Sequence, residues 1–281
     1  MTEADGPRFP TRPYRALQRC TGRYARASMR RWLQPIRLPI LYYHEIGASA
    51  AKHVVHPADF EAQLDWLLEE RFEALRMEDL VAIYAGRRPA PARGVLLSFD
   101  DGRAGVRDFA APALARRGLP AILYLVTGWL DGAPIPEAER YSRFLEWSDL
   151  ETLRRAGFSL GSHTVSHRNL KRISPAEVER EVRDSRLRLE EKLGCAIEHF
   201  SFPYGRRTRA VERAVRAAGY RTAVVTGERS NGRFARLHRL FRLRVDGREG
   251  LPAFQARLYA AIARCRFASM ASRNSSVPSQ G

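Results

Sequence analysis

The sequence predicts an α/β architecture with right-handed crossovers, and three observations predict it. From Leu38 onward, short apolar, β-rich runs alternate with longer amphipathic segments. The first of these runs are nearly continuous in apolar character, which suits strands buried on both faces of a parallel sheet. The segments between them carry helix start and stop signals, and regular strand-helix alternation is the pattern of crossover units.

The elements follow in chain order. Residues 1–36 form a basic, partly disordered extension. Pro7, Pro10 and Pro13 break any early helix. Arg15, Arg19, Arg23, Arg26 and Arg30 then recur at helical spacing, a face that could rest on an anionic membrane surface. The main domain is expected over 37–265. Its strand candidates are "PILYY" (39–43), "VLLSF" (95–99), "AILYLV" (121–126), "FSLGS" (158–162), "HFSF" (199–202), "TAVV" (222–225) and "FRLRV" (241–245). Helices are expected over 57–70, with Phe60, Leu64, Leu67 and Leu68 on one face, after Ser148 as a cap, over 174–193, and over 207–218. Ser174, Pro175 and Glu177 spell a capping box with proline in the first turn. Residues 266–281 are Ser-rich and expected to be disordered.

The chain has 281 residues, is 44% hydrophobic and carries a formal charge of +17. That hydrophobic content excludes global disorder. Lysine occurs only at Lys52, Lys171 and Lys192, so arginine carries the positive charge. The charge would attract anionic partners, but no nucleic-acid motif accompanies it, so no specific nucleic acid is expected. Cys20, Cys195 and Cys265 make neither a metal spacing nor a disulfide framework. No apolar run is long enough to span a membrane, and no apolar core of a secretory signal is visible. The expected location is the cytoplasm or the periphery of a membrane. No feature of the sequence specifies an oligomeric state.

Reactive groups in such folds gather where strands end. The predicted strands deliver His44 and Glu45, then Asp100 and Asp101, then His163 and His167, then Pro203, Tyr204 and Gly205. His163 and His167 are four residues apart, so a helical turn or a tight loop would aim both imidazoles at one point. Two imidazoles and a carboxylate make a common three-ligand metal site. Alone, each motif also describes ordinary structure; together, at successive strand ends, they reinforce one another. The adjacent aspartates then divide their labour. One binds a divalent cation, which reduces their mutual repulsion. The other takes a proton from water acidified by the ion.

"LSFDDG", "SHTVSH" and "FSFPYG" resemble the successive motifs of the polysaccharide deacetylases, the NodB-like carbohydrate esterases of family 4. "LPILYYHEIG" and "EWSDLETLRRAGFSLGSHTVSH" are similar to the subgroup that includes poly-N-acetylglucosamine deacetylases. The resemblance covers about Leu38 to Val245 and implies an irregular (β/α) barrel of about seven strands. It further implies that Asp100 is the general base, that Asp101, His163 and His167 hold the metal, and that His44 is the general acid. The Tyr204 N–H would stabilise the oxyanion. The implied cofactor is a divalent ion, zinc first, with cobalt, nickel or iron as alternatives. The implied reaction removes N-acetyl groups from the sugars of a polysaccharide or lipid-linked glycan. An O-acetyl esterase and a non-catalytic carbohydrate-binding module remain open.

Pro203 and Tyr204 are expected to bind substrate, and Trp129 and Trp147 to stack on a sugar face or else pack in the core. In one respect the chain departs from the family. Where many members carry an arginine that orients the base, two positions before the motif proline, this chain has Ser201. Arg206 and Arg207 are the nearby candidates to replace it. His53, His56, His199 and His238 are read as structural or surface residues.

Overall fold

The computed structural model describes residues 36–140 and 142–274. The basic extension expected over 1–36 lies outside the described residues except for its last one, and so does the end of the tail, 275–281. Seven strands, β1 (Ile40–Tyr43), β2 (Gly94–Phe99), β3 (Ala121–Leu125), β4 (Phe158–Ser162), β5 (His199–Ser201), β6 (Thr222–Thr226) and β7 (Leu240–Arg244), follow one another around a ring. Each pairs in parallel with the next. The ring closes where Leu243 and Arg244 of β7 meet Leu41 and Tyr42 of β1. The result is the expected barrel, and closure leaves none of the seven with an open edge. Every expected strand is present, with each boundary shifted by no more than one residue.

Side chains alternate across each strand, and the two sets separate cleanly. Ile40, Leu96, Ile122, Val224 and Leu240 cluster inside the barrel. Leu41, Leu97, Leu123, Ala223 and Leu243 belong to the larger core beneath the helices. The inner stack changes character along the barrel axis. Its amino end is apolar and is plugged by α2 (Met77–Tyr84), whose Met77, Leu80 and Ile83 join the inner cluster. Above that layer sit Tyr42, Ser98, Tyr124 and Arg242, each on the same face of its strand as the apolar residue below, together with Ser201, which lies above His199. Gly161 is required at this level, because a Cβ there would lie 2.7 Å from the Tyr124 ring.

The other helices are α1 (Pro57–Glu69), α3 (Ala111–Arg116), α4 (Thr127–Leu130), α5 (Asp149–Arg155), α6 (Pro175–Leu193), α7 (Arg209–Ala217) and α8 (Leu251–Asn274). The capping box of α6 forms as its sequence predicts: Ser174 Oγ accepts from Glu177 N, and Glu177 accepts from Ser174 N. Ser148 occupies the cap position of α5 but makes no capping bond with its side chain; Asp149 instead accepts from Glu146 N at 2.9 Å. On α1, Phe60, Leu64 and Leu67 are buried, whereas Leu68 is 41% exposed. Gln63 takes the buried place, accepting a hydrogen bond from Tyr43 OH at 3.0 Å. Helices α2, α3, α4 and α8 lack strong sequence signals, being short or, for α8, without an acidic first turn. The backbone of α8 stays helical through the first part of the segment expected to be a disordered tail. Among the described residues, no helix is long and apolar enough to cross a membrane.

Candidate active site

At the carboxyl edge of the barrel the predicted residues converge. One ligand atom each from Asp101, His163 and His167 lies within 4.8 Å of the other two, and all three residues are buried. Asp101 Oδ1 is 3.6 Å from both His163 Nε2 and His167 Nε2. The backbone makes this possible through unusual torsions. Asp101 has φ 74° and Gly102 φ 79°, so the chain turns sharply after Asp100 and brings both carboxylates to one pocket. The two histidines sit on a tight loop rather than a helical turn, with Thr164 at φ 73° and His167 at φ 56°. A β-branched residue in the left-handed region is strained, and such strain gathers where a site over-determines the backbone.

The loop is held from below. The Glu181 carboxylate on α6 accepts from Val165 N and Ser166 N, both at 2.9 Å, and from Ser166 Oγ. Thr164 Oγ1 accepts from His167 N at 3.0 Å. His163 Nδ1 lies 2.8 Å from the Ser201 carbonyl, so Nδ1 carries the proton and Nε2 keeps its lone pair facing Asp101. Burial pushes the His163 pKa down to about 4, which keeps the ring neutral and able to coordinate near pH 7. Two imidazole nitrogens and a carboxylate oxygen brought this close together fit a divalent ion. Glu181→Ala would strand three donors beneath the loop. It is expected to weaken zinc binding about 10- to 100-fold, as losses of supporting groups do, measured by competition with a chromogenic chelator.

Asp100 is arranged differently. Arg242 Nη1 donates to Oδ1 at 2.7 Å and Nη2 to Oδ2 at 2.6 Å, while Nη2 also donates to Ser201 Oγ at 2.9 Å. The guanidinium is 1% exposed and lies 4.5 Å above the Tyr42 ring. Burial alone would push the Asp100 carboxyl up; Arg242, aided by His163, outweighs it and holds the group well below the usual carboxylate range. Asp100 Oδ2 is 3.9 Å from His163 Nε2, beside the three ligand atoms. The arginine that holds Asp100 thus comes from β7, and neither Arg206 nor Arg207 supplies it. Arg207 pairs with Glu212 at 2.6 Å instead. Ser201 is small and hydroxylated where the family usually has arginine, which leaves room for Arg242 to cross the barrel.

A second arginine also went unrecognised in the sequence. Arg103, 0% exposed, approaches Asp101 Oδ2 at 3.5 Å, donates to the Glu139 carbonyl at 2.7 Å and stacks 4.4 Å over Phe144. It turns one Asp101 oxygen away from the histidines and leaves the other for them. The cue was its position immediately after "DDG". His44 lies 5.5 Å from the Tyr42 ring and 5.0 Å from the His53 ring. Burial pushes its pKa down, while the charges of Asp101 and Asp100 pull it back up. His53, read as structural or surface, is therefore a neighbour of the candidate acid.

His199, by contrast, bridges Thr222 and Glu78 near the amino end, His238 contacts the Tyr220 carbonyl, and His56 caps α1. Glu45 is buried against Gly105 rather than facing solvent. Pro203 is buried, and Tyr204, at φ 59°, stands 4.8 Å from the His167 ring. Gly205 N and Arg206 N donate back into the turn, whereas the Tyr204 N–H has no partner among the described residues. Trp129 is packed between His167 and Phe144, at 5.3 and 4.8 Å. Trp147 is held elsewhere: its Nε1 donates to Asp131 at 3.0 Å, and Arg188 and Lys192 lie over its ring.

The family model described as "Polysaccharide deacetylase" matches residues 87–223. That range includes both aspartates, both histidines and Tyr204 but neither His44 nor Arg242. The protein YxkH of Bacillus subtilis (strain 168), whose name places it among the polysaccharide deacetylases, is 25% identical over 213 residues, 76% of this chain and 73% of that protein. The poly-beta-1,6-N-acetyl-D-glucosamine N-deacetylase of Staphylococcus aureus (strain MRSA252) is 21% identical over 174 residues, 59% of this chain and 58% of its own. Among solved structures, the Streptococcus pyogenes deacetylase PplD in complex with acetate superposes with a TM-score of 0.71 at 23% identity, over 80% of this chain and 99% of that one. IcaB from Ammonifex degensii gives 0.67 at 21% identity, over 74% and 91%. At those identities the two structures bear on the fold, which they share with this barrel. The motif residues, their order along the chain and these matches converge: residues 87–223 carry a polysaccharide deacetylase domain, and the barrel around it has the fold of solved deacetylases.

Proposed function

We propose that this chain is a metal-dependent N-deacetylase acting on an N-acetylated glycan. The observation that carries the proposal is the meeting of Asp101, His163 and His167 within 4.8 Å, with Asp100 held beside them by Arg242. Asp101 Oδ1 and the Nε2 atoms of the two histidines would hold the ion, with zinc as the first candidate. When bound, the ion supplies Lewis-acid polarisation of the acetyl carbonyl and makes a nearby water more acidic.

The remaining steps belong to the chain. Asp100, kept ionised by Arg242, takes a proton from the attacking water. The free Tyr204 N–H donates to the oxygen that becomes negative at the tetrahedral carbon. His44 gives a proton to the departing nitrogen as the C–N bond breaks, which releases acetate and a free amine. Pro203 stiffens the turn that presents Tyr204, and Trp129 fixes the His167 ring from its other side. The kinship with the Staphylococcus aureus enzyme supports N-acetylglucosamine oligomers as the first substrate to try.

The test is acetate release from such oligomers before and after dialysis against a chelator, with acetylated xylan in parallel. Activity on the oligomers should vanish with chelation and return with added zinc. Turnover that survives complete metal removal, verified by elemental analysis, would refute the reading.

A further inference from the structure

Among the described residues, many arginines of this strongly basic chain are paired with carboxylates where they lie. Arg88 pairs with Glu73 and Asp79, Arg93 with Glu70, Arg117 with Asp65 and Glu61, and Arg188 with Asp131 and Glu191. One place is different. A concavity of about 1050 Å³ is lined by Arg206, Arg209, Arg213, Arg216, Arg236 and Arg239, together with Lys171 and Arg207. Its one carboxylate, Glu212, is already engaged by Arg207 at 2.6 Å. The six arginines named first form no ion pair among the described residues. Burial pushes the Arg207 pKa down; Glu212 opposes this, and the charges of Arg239 and Arg236 add to it.

The location ties this concavity to the reaction. Its wall includes Gly205 and Thr226, at the carboxyl ends of β5's following turn and of β6. Gly205 follows Tyr204 directly, so one turn faces the metal ligands through Tyr204 and the concavity through Gly205. Like charges gathered in a concave wall repel one another, and a bound anion relieves that repulsion. Guanidinium forks match phosphoryl oxygens in shape as well as sign.

We propose that this concavity is a subsite for a phosphate or diphosphate group carried by the glycan whose acetyl group is removed. The inference rests on the deacetylase reading and narrows its substrate to a phosphorylated N-acetylated glycan. A neutral polymer would leave the charged wall unused. A concavity of about 1050 Å³ beside a catalytic edge has room for a phosphoryl group and the sugar that carries it, whereas the extended backbone of a nucleic acid would run beyond its walls.

The test uses the full chain and two probes. Inorganic pyrophosphate is titrated calorimetrically into the wild type, into Asp101→Ala (to remove binding at the metal ligands) and into Arg236→Gln/Arg239→Gln. Affinity should fall with added salt, persist in Asp101→Ala and drop about tenfold or more in the double variant, since each bond to a charged group is worth about that much. Acetate release is then compared for N-acetylglucosamine oligomers with and without a reducing-end phosphate. The phosphorylated oligomer should show a KM lower by about tenfold, and the double variant should lose that advantage. Pyrophosphate binding that disappears in Asp101→Ala and survives in the double variant overturns the subsite. Equal KM values for the two oligomers in the wild type overturn it as a substrate site and leave a site for free phosphate. Single-stranded DNA that displaces pyrophosphate from the concavity and binds more tightly overturns it in favour of nucleic acid. Pyrophosphate binding as described, with no acetate released from either oligomer, supports the anion site and counts against the deacetylase reading alone.

Discussion

Arg242→Gln should lower the unfolding free energy by about 3–5 kcal/mol at pH 7, because removing one partner of a buried pair leaves the other charge uncompensated. The partner is Asp100, 3% exposed and bound through both oxygens. The sign of the pH dependence distinguishes this cause from a packing defect. In the wild type the Asp100 carboxyl lies well below its usual value, so its contribution is present above the unfolded pKa and is lost only as pH falls through the depressed folded one. In the variant burial is no longer outweighed by a neighbouring cation, and the carboxyl rises above its unfolded value. Protonation then relieves the defect, so the gap between variant and wild type should narrow as pH falls from 7 towards 5. Urea denaturation of both proteins across that range measures it. A gap of under about 1 kcal/mol at pH 7 would mean the pair contributes little net stability. Arg242→Lys should not rescue the loss, since an ammonium cannot form the two-pronged contact.

Asp100→Asn should reduce acetate release by about 100- to 10,000-fold, the range for losing a general base, while the bound metal remains. The side chain keeps its shape, but the amide cannot take a proton from water, and its NH2 faces the Arg242 guanidinium. Asp101→Asn should behave oppositely in one respect, losing the ion together with the activity, because Asp101 Oδ1 stands between the two imidazoles. Elemental analysis of both purified variants, beside their rates, separates the roles. Full activity in Asp100→Asn would remove that residue from the reaction. Loss of metal from Asp100→Asn but not from Asp101→Asn would exchange the two assignments.

Residues close in the sequence were the legible ones. Asp100 and Asp101 are adjacent, His163 and His167 are four residues apart, and Tyr204 belongs to a short motif. Local pattern also disclosed the seven strands, since a barrel strand buried on both faces is an apolar run whatever its neighbours. The α6 capping box could be read for the same reason. Arg242 could not, because it lies within "FRLRV", where an arginine on a strand looks like a solvated residue. It acts only because closure of the ring faces it towards Ser201 and Asp100, residues distant in the chain. Arg103 was hidden likewise, since its Glu139 and Phe144 partners arrive on a separate loop. For Trp147 the sequence left sugar stacking and core packing open; Asp131 and α6 decide its orientation.

By itself, then, the sequence determined the strand and helix periodicity, the candidate metal-ligand types and their order, because these depend on contacts and chemistry within a few residues. Only the tertiary structure decided which arginine keeps Asp100 ionised, which aromatic ring borders the candidate site and where unneutralised positive charge collects. Those depend on pairings across the barrel, where burial makes a buried carboxylate and its partner inseparable and where distance along the chain carries no information about distance in space.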